Sequence, residues 1–142
     1  MSSTEIFQLK NSRSEFPRVS VILDTFIAAN HLSEQIAFDI HLVIDELLAN
    51  VISYGYNDRL EHIITVHLRV EINRFHAIVE DDGEEFNPLL VPAPNLDLPL
   101  EERRVGGLGI YLVRKLMDHV EYQRRENKNY ISVSKTLTEH GE

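Results

Sequence analysis

No cysteine occurs in the 142 residues. That excludes disulfides, thiolate metal sites and a cysteine nucleophile in one step, and it fits a reducing cytoplasm. A basic surplus is equally absent, since 23 acidic residues stand against 14 Lys and Arg, for a formal net charge of -9. Without a basic field to gather phosphates, general nucleic-acid binding is excluded. A single nucleotide, held by backbone amides and one metal ion, is not. Apolar runs are only a few residues long, so no membrane span is expected. The polar start, MSSTEIFQLKNSRSEF, lacks the apolar core of a signal peptide. Seven histidines are present without ligand spacing of the HExxH kind, and no zinc site is expected.

What is present reads as one globular domain spanning 1–142, with 43% hydrophobic and 26% charged residues. A short edge strand is predicted at 5–10. Val19, Ile22, Leu23, Phe26 and Ile27 recur at helical spacing within 16–29, and Pro17 suits a first turn. A longer helix starts after Ser33, a candidate N-cap. Ile36, Ile40, Val43, Ile44, Leu47, Leu48, Val51 and Ile52 then form a sustained stripe as far as Gly55. Ile64, Val66, Leu68, Val70 and Ile72 alternate with polar residues as a strand does. A turn at Asn73-Arg74 then leads into a returning strand over 75–80. Residues 84–104, with Pro88, Pro92, Pro94 and Pro99, form a long loop of the kind that tends to be functional. A helix over 108–118 follows. Strands over 120–124 and 130–137, joined by a turn through 126–129, close the chain. Strands and helices segregated in this way predict an α+β fold, a two-layer α/β sandwich. Its sheet is expected to be mixed and largely antiparallel, with about three helices on one face.

Three sets of residues have chemistry to offer. Glu46 and Asn50, four apart, project from the same edge of the long helix, where a carboxylate and an amide suit a hard cation and a reacting hydroxyl. Asp81, at a strand end, is placed to accept from an exocyclic amine, and Gly83 lets backbone approach a flat ring. Gly106-Gly107-Leu108-Gly109 opens a helix, where free amides and the helix dipole favour phosphate. Each set also has a plain reading: a solvated pair, an Asp-Gly turn, a flexible hinge.

Their order and spacing are more specific than any one of them. Asp45-Glu46-Leu47-Leu48-Ala49-Asn50 and the residues through Tyr56 resemble the N box of the GHKL (Bergerat-fold) ATPases. Glu80-Asp81-Asp82-Gly83-Glu84-Glu85-Phe86-Asn87-Pro88 resembles the G1 box, and Gly106-Gly107-Leu108-Gly109-Ile110 the G2 box. Within that superfamily the chain, over about 5–137, is most similar to the anti-sigma-factor serine/threonine kinases of the RsbW and SpoIIAB type. The resemblance implies ATP and Mg²⁺ as cofactors, with Asn50 on the metal and Glu46 as general base. It implies Asp81 and Gly83 at the adenine, Gly106, Gly107, Leu108 and Gly109 at the phosphates, and an ATP lid over 84–105. It further implies a cytoplasmic kinase acting on a STAS-type anti-anti-sigma protein, a sigma factor as second partner, and a homodimer. The alternative is a nucleotide-gated protein-binding regulator of the same fold without kinase activity. This chain departs from the family at Glu85, where the G1 pattern often has a second glycine. It also has Lys128-Asn129 where Gly-Thr often precedes the final strand, and no role is carried over to that pair.

Overall fold

The computed structural model describes residues 2–90 and 107–137. Strand β1 (Ser2–Lys10) leads through a 3₁₀ turn (Arg13–Glu15) into helix α1 (Phe16–Ala29) and helix α2 (Glu34–Tyr54). A hairpin of β2 (Ile63–Glu71) and β3 (Arg74–Asp81) follows, then a 3₁₀ turn (Pro88–Leu90). Helix α3 (Gly107–Leu116) and the hairpin of β4 (His119–Arg125) and β5 (Lys128–Thr136) complete the fold. The five strands form one sheet in the order β1-β2-β3-β5-β4. All four ladders among the described residues are antiparallel, so the parallel pairing that a mixed sheet implies is not seen there.

Local chemistry sets the helix ends. Pro17 sits in the first turn of α1, where its missing N–H breaks no intrahelical bond. Ser33 caps α2, its Oγ accepting from the Ile36 N–H at 3.2 Å. The apolar stripe of α2 is buried along its length, and Ile40, Val43, Ile44 and Leu48 are wholly excluded from solvent. It packs between neighbours, touching both α1 and α3. Facing it are Leu9, Ile64, Val66, Leu68, Phe75, Ala77, Val79 and Val133, one alternate set from four strands. Each of these side chains but Ala77 contributes about 1.5–3 kcal/mol by leaving water.

Both hairpins turn on two residues with positive φ. Ile72 (46°) and Asn73 (62°) join β2 to β3, and Glu126 (51°) and Asn127 (66°) join β4 to β5. Two-residue turns of that hand match the twist of the flanking strands. The first lies one residue earlier than the expected Asn73-Arg74 turn. Ile72 therefore leaves the strand pattern and stands 79% exposed at the tip. The second is shorter than the expected 126–129 turn and returns Lys128 and Asn129 to β5. That shift decides the composition of the site.

Candidate functional site

Strand alternation aims Asp81 inward. Phe75, Ala77 and Val79 point to the helices, and Asp81 takes the next such position at the end of β3, 5% exposed. In β5 the inward set is Asn129, Ile131 and Val133, and register places Asn129 directly opposite Asp81. Asn129 Nδ2 donates to Asp81 Oδ1 at 3.0 Å and to the Glu84 carbonyl at 2.8 Å. Its Oδ1 accepts from the Tyr122 hydroxyl at 2.5 Å and from Arg124 Nη1 at 3.1 Å. Both donors and both lone pairs of the carboxamide are thus used. The same Arg124 nitrogen donates to the Gly83 carbonyl at 2.9 Å. Burial pushes the Asp81 carboxyl up, while bonds from Asn129 and from the Gly83 N–H, the latter at 2.8 Å, pull it down.

Asn129, Arg124 and Tyr122 were not among the candidate residues of the sequence. One signal points to Asn129: extending the alternation of Ile131 and Val133 back by two residues gives an inward position beside Asp81.

The glycine of the Asp81-Asp82-Gly83 turn answers to close approach. A Cβ on Gly83 would fall on the Gly55 carbonyl oxygen, which also accepts the Glu84 N–H at 2.6 Å. The end of α2 is therefore seated directly on this turn.

Asn50 comes from α2 into the same space. It is buried, and its Nδ2 has no hydrogen-bond partner. With Val51, Gly55, Asp81 and Asn129 it lines a cavity of about 20 Å³, closed by Phe86 and Pro88. The Phe86 ring lies 5.3 Å from that of Tyr54. Such a volume holds about one water and is too small for a purine as it stands. An orphaned amide donor beside a buried carboxylate is the polar set that a ligand with its own donors and acceptors satisfies. Among the described residues no group of three or more His, Asp or Glu is arranged to hold a metal ion. A hard cation at the Asn50 carbonyl would take its other ligands from phosphates and water, which suits Mg²⁺.

Glu46 reaches a different element. A Cβ on Gly109 would collide with Glu46 Oε1, so the carboxylate lies across the first turn of α3. Desolvation pushes the Glu46 carboxyl up, the Asp45 charge adds to this, and Arg13 opposes it. A carboxylate raised in this way is the better proton acceptor. Gly107 and Leu108 open α3, whose first-turn N–H groups have no intrahelical partner. Gly106 and the expected lid beyond residue 90 lie outside the described residues, as do Arg103 and Arg104. Glu85 is exposed and lines an open hollow of about 320 Å³ with Tyr56, His62, Asp82 and Arg124.

An antiparallel sheet with three helices on one face, a buried aspartate beneath the long helix and a glycine-opened third helix together define a nucleotide-binding α/β sandwich. The chain belongs to the histidine kinase-like ATPase domain family, whose profile matches residues 11–135. It is 26% identical over 139 residues to the serine/threonine-protein kinase BtrW of Bordetella bronchiseptica, spanning 98% of this chain and 95% of that one. It is also 26% identical over 145 residues to the anti-sigma F factor of a Geobacillus species, spanning 92% and 93%. The crystal structure of the RsbU and RsbW domains of a Mycobacterium tuberculosis protein superposes with a TM-score of 0.70 at 14% identity. That match covers 97% of this chain and 33% of the other. The last likeness is one of fold.

Proposed function

We propose that this chain is an ATP-dependent protein serine/threonine kinase that acts as an anti-sigma regulatory factor. It phosphorylates a STAS-type anti-anti-sigma protein and, in the unengaged state, holds a sigma factor. The observation that carries the reading is the Glu46 carboxylate lying over Gly109 at the start of α3. A binding module has no need of a desolvated carboxylate where phosphates meet a helix N-terminus.

Asp81 would accept the adenine amine, and Asn50 would meet the phosphates and Mg²⁺. The metal, when bound, would supply charge neutralisation at the phosphates. Glu46 takes the proton of the substrate serine as its oxygen bonds to the γ-phosphorus. The bond from that phosphorus to the β–γ bridging oxygen breaks, and ADP leaves. Little else is asked of the protein in phosphoryl transfer beyond positioning and electrostatics.

The relatives named as a kinase and as an anti-sigma factor support this assignment along nearly the full chain. No described helix is long and apolar enough to cross a membrane, and the reading places the protein in the cytoplasm with its partners. A homodimer through the sheet face that carries no helix is part of the proposal, supported by Ile6 standing 56% exposed there. Incubation with γ-labelled ATP and the cell's STAS-type proteins tests the assignment. Label on a serine of one of them is expected. Tight nucleotide binding with no transfer to any of them would favour the nucleotide-gated regulator instead.

A further inference from the structure

The hollow beside the Asp81-Asp82-Gly83 turn contains an ion-pair arrangement that the phosphoryl-transfer scheme does not use. His62 Nε2 lies 2.8 and 3.1 Å from the two oxygens of Asp58, and its Nδ1 lies 3.3 Å from Asp82 Oδ1. The ring is stacked on Tyr56 at 4.2 Å between centroids and 19° between planes. Its backbone is fixed at the end of β1, where the His62 N–H donates to Asn11 Oδ1 and the His62 carbonyl accepts the Asn11 N–H, each at 3.0 Å. The histidine is therefore anchored independently of the turn that it grips. Loop 55–62 touches the turn at both ends, through the Gly55 carbonyl with Glu84 N–H and through His62 with Asp82.

Two carboxylates facing both ring nitrogens call for a donor on each, and only the imidazolium has two. In the neutral ring one nitrogen is a lone pair turned toward an anion. We propose that His62 is a positioning residue of the nucleotide site. As an imidazolium it ties Asp82 to loop 55–62 and so holds Asp81 and Gly83 in place for the base, and adenine-nucleotide affinity falls when it loses its proton. The inference rests on the reading of Asp81 as part of a nucleotide site.

The groups around His62 set the direction. The Asp58 bond, first, and Asp82, after it, hold the imidazolium proton above the ordinary histidine range, against some loss from burial. The hydroxyl of the stacked Tyr56 is pushed well up by burial and by Asp81 and Asp82, so it stays neutral over the range concerned. Glu84, Glu85 and Arg124 line the rest of the hollow, and on the β1 side stand the uncharged Asn11, just past the strand, and the ion pair of Lys10 with Glu61 at 3.6 Å. Affinity is therefore expected to be full where the imidazolium persists and to fall as pH rises through the raised value, nucleotide binding in turn favouring the protonated ring.

The test compares ADP affinity of the full chain and its His62→Gln variant by calorimetry between pH 6 and pH 9. The nucleotide's own titration is common to both proteins and cancels in the ratio. Wild type is expected to bind about threefold more tightly at the acidic end, the scale of a partly exposed ion pair, and the ratio to approach one at the alkaline end. In the same protein, Asp82→Asn should lower the midpoint of the His62 ring resonance in an NMR titration. A flat affinity ratio, or a His62 midpoint unmoved by Asp82→Asn, overturns the proposal. Failure of the wild type to bind ADP at any pH would instead remove the nucleotide-site reading, and this inference with it.

Discussion

Asn129 and Asp81 stand opposite one another on β5 and β3, and the Asn129 amide donates to Asp81 Oδ1 at 3.0 Å. Both side chains are almost fully buried, at 3% and 5% exposure. Gly83 N–H donates to that same oxygen, so in the proposed role of Asp81 a ligand amine would be met by Oδ2. Asn129→Ala would release Asp81 and strand the Glu84 carbonyl and the Tyr122 hydroxyl. A hydrogen bond to a charged group contributes about 1.5–3 kcal/mol, so ATP should bind on the order of tenfold more weakly, measured by calorimetry. Asp81→Asn should weaken ATP binding at least as much, since an amide in that place can present an N–H to the base amine. Full affinity in the Asp81 variant would place the adenine elsewhere.

Gly109 and Glu46 give a second expectation, in which stability and activity part. Alanine at Gly109 improves helix propensity by up to about 1 kcal/mol. Its methyl group displaces only the flexible end of Glu46. Gly109→Ala should therefore melt no lower than the wild type while losing most of its phosphoryl transfer. A large fall in melting temperature would show that the contact is structural.

Glu46 itself is expected to trade stability for activity. Its carboxyl is raised by desolvation, which means that the folded protein disfavours the ionised form relative to the unfolded chain. The penalty is absent at low pH, where the group is protonated in both states, and is complete at neutral pH. Glu46→Gln should consequently raise the melting temperature at pH 7, with the gain vanishing toward pH 3. Transfer to the protein substrate should fall by about 10²–10⁴-fold, the usual contribution of a general base, with nucleotide affinity little changed. Transfer that persists in this variant would remove Glu46 from the role of base.

The sequence makes the elements legible because their periods are long and unbroken. The α2 stripe and the β2 alternation each repeat over several turns or pairs, and the structure follows them to within a residue or two at most ends. The hairpin tips were less legible. Ile72 carries on the apolar alternation of β2, yet it sits in a positive-φ turn, since a two-residue connection matches strand twist better than one more paired residue. The same preference at Glu126-Asn127 moves Asn129 from an expected turn into the strand. Asp81 and Asn50 were legible through motif spacing. The Asn129, Arg124 and Tyr122 network was not, because it needs the exact register of the β4–β5 hairpin and the pairing of β5 with β3, 48 residues away at Asn129 and Asp81. Local patterns record which face a residue takes, and cross-strand partners only emerge once the hairpins are closed.

Asp118 and Thr136 supply a pH test of the fold that is independent of the site. Asp118 lies between α3 and β4, and its Oδ2 accepts the Thr136 N–H of β5 at 2.7 Å. That bond, more than the nearby Lys135 and Arg74 charges, holds the Asp118 carboxyl below the usual carboxylate range. A lowered folded-state value contributes stability above the ordinary carboxylate value, and this is lost as pH falls through the lowered one. Asp118→Asn keeps an acceptor but loses the charge, so it should lower the melting temperature at pH 7. The difference from wild type should shrink as pH falls below the ordinary carboxylate value and close once the lowered Asp118 carboxyl is itself protonated. Thermal melts over that fall in pH check the expectation, and a difference that stayed constant with pH would assign the effect to packing instead of charge.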